Sequence, residues 1–399
     1  MIHLFLNGTA ASAGGGLTYL RNLIPALAQR GGVRATVAVG GPLRQELGEI
    51  PNVSFTDLEF SSQPAVRSLQ EQLLLPKRVS ESGANVLVST GNFALRRSPV
   101  PQILLSRNSL YTSRNFYGDL WSRRDYWLLF DTWLKGRLAR KSIAWADRTV
   151  APSESFAREV EAWAHREVVV IPHGFDPDAF FADSTPLKGP TRSLLASRDS
   201  TLRLLFVSHY NYYRNFETLL RAIPVLRSQL APRKVEVVFT CKFRSDENPG
   251  AYRTEEVARL IEELKIASNV IELGAVPYGM LHHVYRACHV YVSPAYAESF
   301  AHPLVEAMSC GLPVVAADRP VHRETCGNAA LYFACFSPEE LAEAVVRASA
   351  SPLREELLAA GSEQSKKYSW QAHVTQLLEL AQELLEEKQP GKRTTISQE

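Results

Sequence analysis

The chain has 399 residues, 45% of them hydrophobic and 22% charged, with 44 basic against 42 acidic side chains and a net charge of +2. That length exceeds one ordinary α/β core and predicts two domains, and the near-neutral charge excludes a nucleic-acid binder driven by bulk electrostatics. The five cysteines, Cys241, Cys288, Cys310, Cys326 and Cys335, form no C-x-x-C pair, which argues for reduced thiols in a cytoplasm and against a disulfide framework or a metal cluster.

The N-terminal "IHLFLN" reads as a first strand, because it is apolar, lacks a basic leader and runs into a glycine turn at Gly14, Gly15 and Gly16. The short apolar runs "RATVAVG", "NVLVST", "QILLS", "RTVAPS" and "EVVVIP" follow, with amphipathic stretches between several of them, such as Leu17 to Arg30 and Ser153 to Trp163. The Ser-, Thr-, Pro- and charge-rich stretch over 183–201 reads as a linker. A second series then opens: "LRLLFVS", "KVEVVFT", "NVIELG", "VYVSP" and "PVVAAD", with helical stretches Phe216 to Leu230 and Glu255 to Leu264 between. Strand–helix alternation implies right-handed crossovers and parallel sheets. The expected architecture is therefore α/β, with two doubly wound parallel-sheet domains facing across a cleft. Residues 1–182 form the first, 202–387 the second with a terminal helix, and 388–399 a flexible tail. No run of about 18 apolar residues offers a membrane span.

The stretch "AYAESFAHPLVEAMSCGLPVVAAD", 295–318, places Glu298 and Glu306 on either side of a short apolar run. Pro303 suits the first turn of a helix, where a missing N–H costs nothing, and Gly311 suits its end. Backbone N–H groups near Phe300 to Leu304 would face the crevice at the carboxyl edge of a sheet, where such folds bind anions. Glu306, expected in that helix's first turn, could accept hydrogen bonds from a vicinal diol such as ribose. Glu298 would meet a second hydroxylated group beyond a phosphate. The competing reading is a carboxylate complementing a helix dipole at Glu306 and a surface residue at Glu298.

Glu298-Ser299-Phe300, Pro303-Leu304, Glu306-Ala307 and Gly311-Leu312-Pro313-Val314-Val315 resemble the E-x7-E signature of retaining glycosyltransferases of GT-B type, in the large family four group. "GGGLTYLRNL", "VAPSESFAREV", "VVVIPHGFD", "YRNFETLLRAI" and "GAVPYGMLHHVYRACHVYVSPA" extend the resemblance over most of the chain. It implies that the second domain holds a nucleoside-diphosphate sugar, with Glu306 on the ribose, Phe300, Ala301, His302, Pro303 and Leu304 near diphosphate and sugar, and Glu298 at the transferred sugar. Where the family carries "G-R-x4-K", this chain has "SHYNYYRN". Arg214 stands at the lysine position, followed by Asn215, and His209 replaces the arginine. The glycine turn, Gly15 and Gly16 within it, would border the acceptor and the leaving diphosphate. Many relatives have a histidine after the fourth strand of the first domain. Here Arg107 and Asn108 stand in that region, Asn108 to hold a sugar hydroxyl, Arg107 to bind an acidic acceptor or to pair with a carboxylate. His173 reads as structural, near the hinge. The donor base would lie against the loops carrying Lys242 and Val276.

The resemblance implies metal-independent hexosyl transfer to a carbohydrate or lipid-linked acceptor hydroxyl, with retention and without a cofactor. Glu298 and Arg214 are the expected catalytic residues, and the setting is glycan, polysaccharide or glycolipid assembly in the cytoplasm. A non-catalytic nucleotide-sugar-binding homologue, or a partner protein of an assembly complex, is the alternative. Between Leu120 and Arg148, Trp127, Phe130, Leu134, Leu138 and Trp145 share one helical stripe amid Arg123, Arg124, Lys135, Arg137, Arg140 and Lys141. That composition suits a peripheral contact with the inner membrane face. The favoured reading is an internal helix whose stripe packs on the first sheet, because Arg137 and Lys141 lie beside the stripe instead of opposite it.

Overall fold

A computed structural model describes residues 1–11, 14–56, 60–61, 63–187, 189–196, 200–244 and 252–388. The chain folds as two parallel-sheet α/β units, which confirms the expected fold class.

The first unit holds seven strands: β1 Ile2–Asn7, β2 Val33–Ala38, β3 Val53–Phe55, β4 Val86–Ser89, β5 Gln102–Leu105, β6 Arg148–Ala151 and β7 Val169–Val170. Their order is β3-β2-β1-β4-β5-β6-β7, all pairs parallel. The second holds β8 Thr201–Phe206, β9 Lys234–Phe239, β10 Val270–Glu272, β11 Val290–Ser293, β12 Val314–Ala317 and β13 Ala330–Phe333, in the order β10-β9-β8-β11-β12-β13. Central strands are buried because helices cover both faces; β8 is buried at all six positions, including Arg203, which pairs with Glu236 of β9 at 2.9 Å. The edge strands β3 and β13 were not expected from the sequence. Each is short, three and four residues, and only partly buried; β3 is broken by Ser54, whereas β13, Ala330-Leu331-Tyr332-Phe333, is apolar throughout and was simply not read as a strand.

Neither unit is one continuous stretch of chain. The first comprises Met1–Thr112, Thr132–Gly174 and the chain from Ser369; the second comprises Ser113–Asp131 and Phe175–Tyr368. The helix Trp370–Glu387 belongs with the first unit, where Trp370, Val374, Leu377, Leu380, Ala381 and Leu384 enter a core with Leu4, Leu6, Leu20 and Leu23. Gly174 admits it: a Cβ there would lie 2.2 Å from the Trp370 nitrogen. The helix Arg114–Ser122 belongs with the second unit, where Phe116 packs edge-on to Tyr213 and ion pairs add to that contact. Arg123, just after it, bonds Asp119 at 2.7 Å, Glu217 at 3.0 Å and Glu256 at 2.9 Å, and Tyr296 Oη donates to Asp119 at 2.6 Å. The linear division at 182 and 202 thus groups these segments differently from the folded chain. Within the expected linker, Gly189–Leu194 forms a short helix; tail residues 389–399 lie outside the described residues.

The helix Tyr126–Trp145 corrects the expectation of an internal stripe. Thr132, Gly136, Ala139, Ser142 and Ile143 are its buried residues, whereas Trp127, Phe130, Trp133, Leu134, Leu138 and Trp145 are exposed. Small side chains let the helix pack closely, and its bulky ones turn to solvent. Among the described residues no helix is long and apolar enough to cross a membrane.

Candidate active site

In the second sheet the chain runs outward from β8 through β9 to β10, and in the other direction from β11 through β12 to β13. The crevice between β8 and β11 is therefore the topological switch point, where open α/β sheets bind ligands at their carboxyl ends. The loop after β8 carries His209, Arg214 and Asn215, and the loop after β11 carries Glu298. Arg214 Nη1 forms an ion pair with Glu298 Oε1 across that point. Both side chains are mostly buried, and Arg214 Nε has no hydrogen-bond acceptor among the described residues. Sequence reasoning put these two residues in one site, and the fold brings them together.

Asn215 has a left-handed backbone (φ 54°) and starts the helix Phe216–Leu230. Its Nδ2 donates to the Pro294 carbonyl at 3.1 Å and its Oδ1 accepts from Thr218 Oγ1 at 2.8 Å. The side chain therefore ties the two loops together. It holds the site's frame, and Arg214 is the group it positions. His209 is half-buried, and burial, with the Arg214 charge beside it, lowers its pKa from 6.5. Both effects disfavour its cationic form.

The helix after β11 is His302–Ser309, so Glu306 is its fifth residue and lies in the second turn, not the first. Glu306 is 3% exposed and accepts from Tyr285 Oη at 2.8 Å. Burial raises its pKa to about 7, against the opposing effect of the Tyr285 hydrogen bond. Ala301 caps the helix at φ 66°, a conformation rare outside glycine, and strain of this kind collects at functional sites. The Leu304 N–H donates to the Ala301 carbonyl at 3.0 Å, so it closes the turn and does not face a ligand. Pro303 fits the first turn as expected, and the Phe300 carbonyl is fixed by Thr325 Oγ1 at 2.9 Å. The ring of His302 packs edge-on to Phe300, centroids 4.9 Å apart.

Lys242 follows β9 and lies along Gly274, after β10; a Cβ on Gly274 would meet Lys242 Cε at 3.4 Å. Val276, two residues on, is half-buried. The Phe243 N–H bonded to Glu272 at 2.6 Å joins these two loops. Two contributors escaped the sequence reading. Tyr285 lies 21 residues before Glu306, and only the tertiary fold relates them. His322, wholly buried, donates from Nδ1 to the Ala317 carbonyl at 2.8 Å, which leaves Nε2 as an acceptor without a partner among the described residues.

In the first unit the switch point falls between β1 and β4. Arg107, after β5, bonds the carbonyls of Thr90, after β4, and of Gly15, after β1. Its guanidinium lies 4.8 Å from the centre of the Tyr19 ring, and burial lowers its pKa to about 10. Among the described residues it bonds carbonyls, not the carboxylate that sequence reasoning allowed as one partner. A Cβ on Gly16 would lie 3.5 Å from Arg107 Nη2. Asn108 accepts from the Leu110 N–H at 3.1 Å and so caps a 3₁₀ turn. His173 packs among Tyr19, Trp370 and His373, in keeping with a structural role. Among the described residues no group of three or more His, Cys, Asp or Glu is arranged to hold a metal ion.

Residues 13–179 match the family described as Glycosyltransferase Family 4, and residues 192–368 match Glycosyl transferases group 1. A D-inositol 3-phosphate glycosyltransferase of Thermomonospora curvata is 32% identical over 249 residues, 59% of this chain and 57% of that one. An O-antigen chain mannosyltransferase B of Escherichia coli is 33% identical over 107 residues, 27% of this chain and 28% of that one. The chain spans about half the length of the curated relatives it matches first. Among solved structures, sucrose-phosphate synthase of Thermosynechococcus elongatus superposes with a TM-score of 0.74 at 18% identity, over 97% of this chain and 100% of that one. Anabaena HepE in complex with UDP-glucose does so with a TM-score of 0.68 at 17% identity, over 96% and 100%. At such identities the likeness shows the fold.

Proposed function

From the premise that this chain carries a glycosyltransferase domain in each half, we propose that it moves a hexosyl group from a nucleoside-diphosphate sugar to an acceptor hydroxyl with retention at the anomeric carbon. The observation that carries this reading is the Arg214–Glu298 pair at the switch point of the second sheet, with buried Glu306 on the adjoining helix. A cation there answers the charge that grows on a departing diphosphate. The released carboxylate of Glu298 is then a hydrogen-bond acceptor for the transferred sugar, and Glu306 for the ribose diol. With a fixed guanidinium at the phosphates, the transfer needs neither a divalent ion nor a cofactor. Lys242 and Val276 offer the loops against which the base would lie.

The acceptor side of the reading rests on Arg107. Its charge meets carbonyls and a ring, so it remains able to attract an anionic acceptor at the glycine turn. Glycan, polysaccharide or glycolipid assembly in the cytoplasm is the setting this suits.

The test is a screen of UDP-, GDP-, ADP- and TDP-sugars for release of labelled sugar, with and without EDTA. UDP-glucose is the first donor to try, since HepE has been solved with UDP-glucose bound. Release unaffected by EDTA, and a product whose anomeric configuration matches the donor's, is the expected result. Binding of a nucleotide sugar without any release would favour the non-catalytic alternative. Inversion at the anomeric carbon would overturn the mechanism.

A further inference from the structure

The helix Tyr126–Trp145 presents its amphipathic character the wrong way round for a core element. Its inner face is Thr132, Gly136, Ala139 and Ile143; its outer face carries Trp133, Leu134, Leu138 and Trp145, and Trp127 and Phe130 continue that face over the first turns. Trp127 is 78% exposed. Soluble monomers rarely expose a contiguous apolar strip of this size, and where they do it marks a contact. Lys135, Arg137, Arg140 and Lys141 lie on the same helix against one acid, Asp131. Arg137 sits 5.1 Å from the centre of the Trp133 ring, which sets a cation directly beside an exposed aromatic.

We propose that the outer face of the helix Tyr126–Trp145 is a docking surface for an anionic lipid bilayer. Charge selects this occupant. A second copy meeting the strip across a two-fold axis would bring four cations against four cations, whereas anionic headgroups complement them. The side-chain chemistry agrees, because indole rings flanked by Lys and Arg settle at the headgroup boundary. The strand order adds a second strip. Right-handed crossovers put the helix Pro64–Ser82, between β3 and β4, on the same sheet face as this helix, between β5 and β6. There Leu69 and Leu73 are exposed as well. Two apolar strips on one face suit a broad lipid surface. The surface adds to the proposed transfer reaction without resting on it.

Co-sedimentation with vesicles of phosphatidylglycerol, and separately of phosphatidylcholine, at low salt tests the proposal. The wild-type chain should sediment with the anionic vesicles and not the neutral ones, with a blue shift of tryptophan emission. Trp127→Ser with Trp133→Ser, and separately Arg137→Glu with Arg140→Glu, should each weaken binding by about tenfold or more. All four positions are exposed, so both variants should keep the wild-type melting temperature, which separates lost docking from lost folding. Absence of binding by the wild-type chain, equal binding to both vesicles, or binding indifferent to both variants overturns the proposal. So does a concentration-dependent dimer in sedimentation velocity that the tryptophan substitutions abolish. Sugar release without vesicles reads the transfer reaction separately, so failure of one reading leaves the other standing.

Discussion

Glu306 is a carboxyl group whose proton depends on its surroundings more than on its intrinsic acidity. Burial raises its pKa from 4.5 to about 7 in the folded chain. The folded value lies above the unfolded one, so the protonated group contributes stability that is full below about pH 4.5 and is lost as pH rises through about 7. A ribose diol asks for the opposite state, because the ionised carboxylate is the stronger acceptor. Nucleotide affinity should therefore rise between about pH 6 and about pH 8 as the group ionises. Glu306→Gln should remove that rise and weaken binding by about 1.5–3 kcal/mol at the upper end, the range for a hydrogen bond to a charged group. Titration calorimetry on both proteins reads it, and the variant also subtracts the phosphates' own ionisation. Parallel profiles would detach Glu306 from the ribose. Arg214 belongs to the chemistry more than to binding. Diphosphate charge grows as the glycosidic bond breaks, so Arg214→Ala should lower turnover by about 100-fold while donor affinity falls less. A variant with near-normal turnover would move the phosphate role to Lys242.

At the scale of elements, Arg123 ties the segment Ser113–Asp131 into the second unit through three carboxylates, beside the packing of Phe116 on Tyr213 and the bonds of Tyr296, Tyr212 and Arg253. The burial of Arg123 opposes its charge, but Glu217 and Asp119 outweigh that and raise its pKa above the usual value. Arg123→Ala would leave Asp119 and Glu217 facing each other with no cation between. The expected cost is about 3 kcal/mol, read as a lower midpoint in urea unfolding, with Arg123→Lys recovering part of it. An unchanged midpoint would show that Tyr296, Tyr212, Arg253 and the Phe116 ring hold the segment without Arg123. This arrangement was not legible in the sequence, since nothing in "RNFYGDLWSRRD" points to partners near residues 217 and 256. Elements whose own pattern decides them were legible: the helix Phe216–Leu230 has the bounds its periodicity predicts. That Arg214 and Glu298 share a site was legible through the family resemblance, but the ion pair between them was not, since the resemblance put one on the diphosphate and the other on the sugar. The aromatic helix was read only halfway. A helical wheel finds its stripe at Trp127, Phe130, Leu134, Leu138 and Trp145, but it holds no information on which face meets the sheet. Gly136 and Ala139 decide that by permitting close approach, and a wheel scores such small residues as neutral.

Across the whole molecule, each sheet carries its own core, yet the last helix of the chain completes the core of the first. Tyr19 Oη lies 2.9 Å from His373 Nε2, and His373 Nδ1 lies 2.8 Å from the Pro172 carbonyl. The carbonyl requires a proton on Nδ1, and burial lowers this imidazole to about 4, so Nε2 accepts from the tyrosine. The helix is thus locked by side-chain hydrogen bonds as well as by Trp370 and Leu377. Leu377→Ala should cost about 2–5 kcal/mol, the range for emptying a leucine site in a packed core. Gly174→Ala should cost about 1–3 kcal/mol by overpacking, because its Cβ would collide with the Trp370 backbone, which is not a flexible side-chain end that could swing aside. Both changes act on the first unit. A donor nucleotide at a hundredfold excess over its Kd adds about 2.7 kcal/mol to whatever binds it, and the side chains proposed for ribose, diphosphate and base, Glu306, Arg214 and Lys242, all lie in the second unit. Differential scanning calorimetry should therefore show one transition lowered by Gly174→Ala or Leu377→Ala and a different one raised by nucleotide. If the substitutions and the nucleotide move the same transition by comparable amounts, the last helix stabilises the nucleotide-binding unit instead, and the two-core division of the molecule fails.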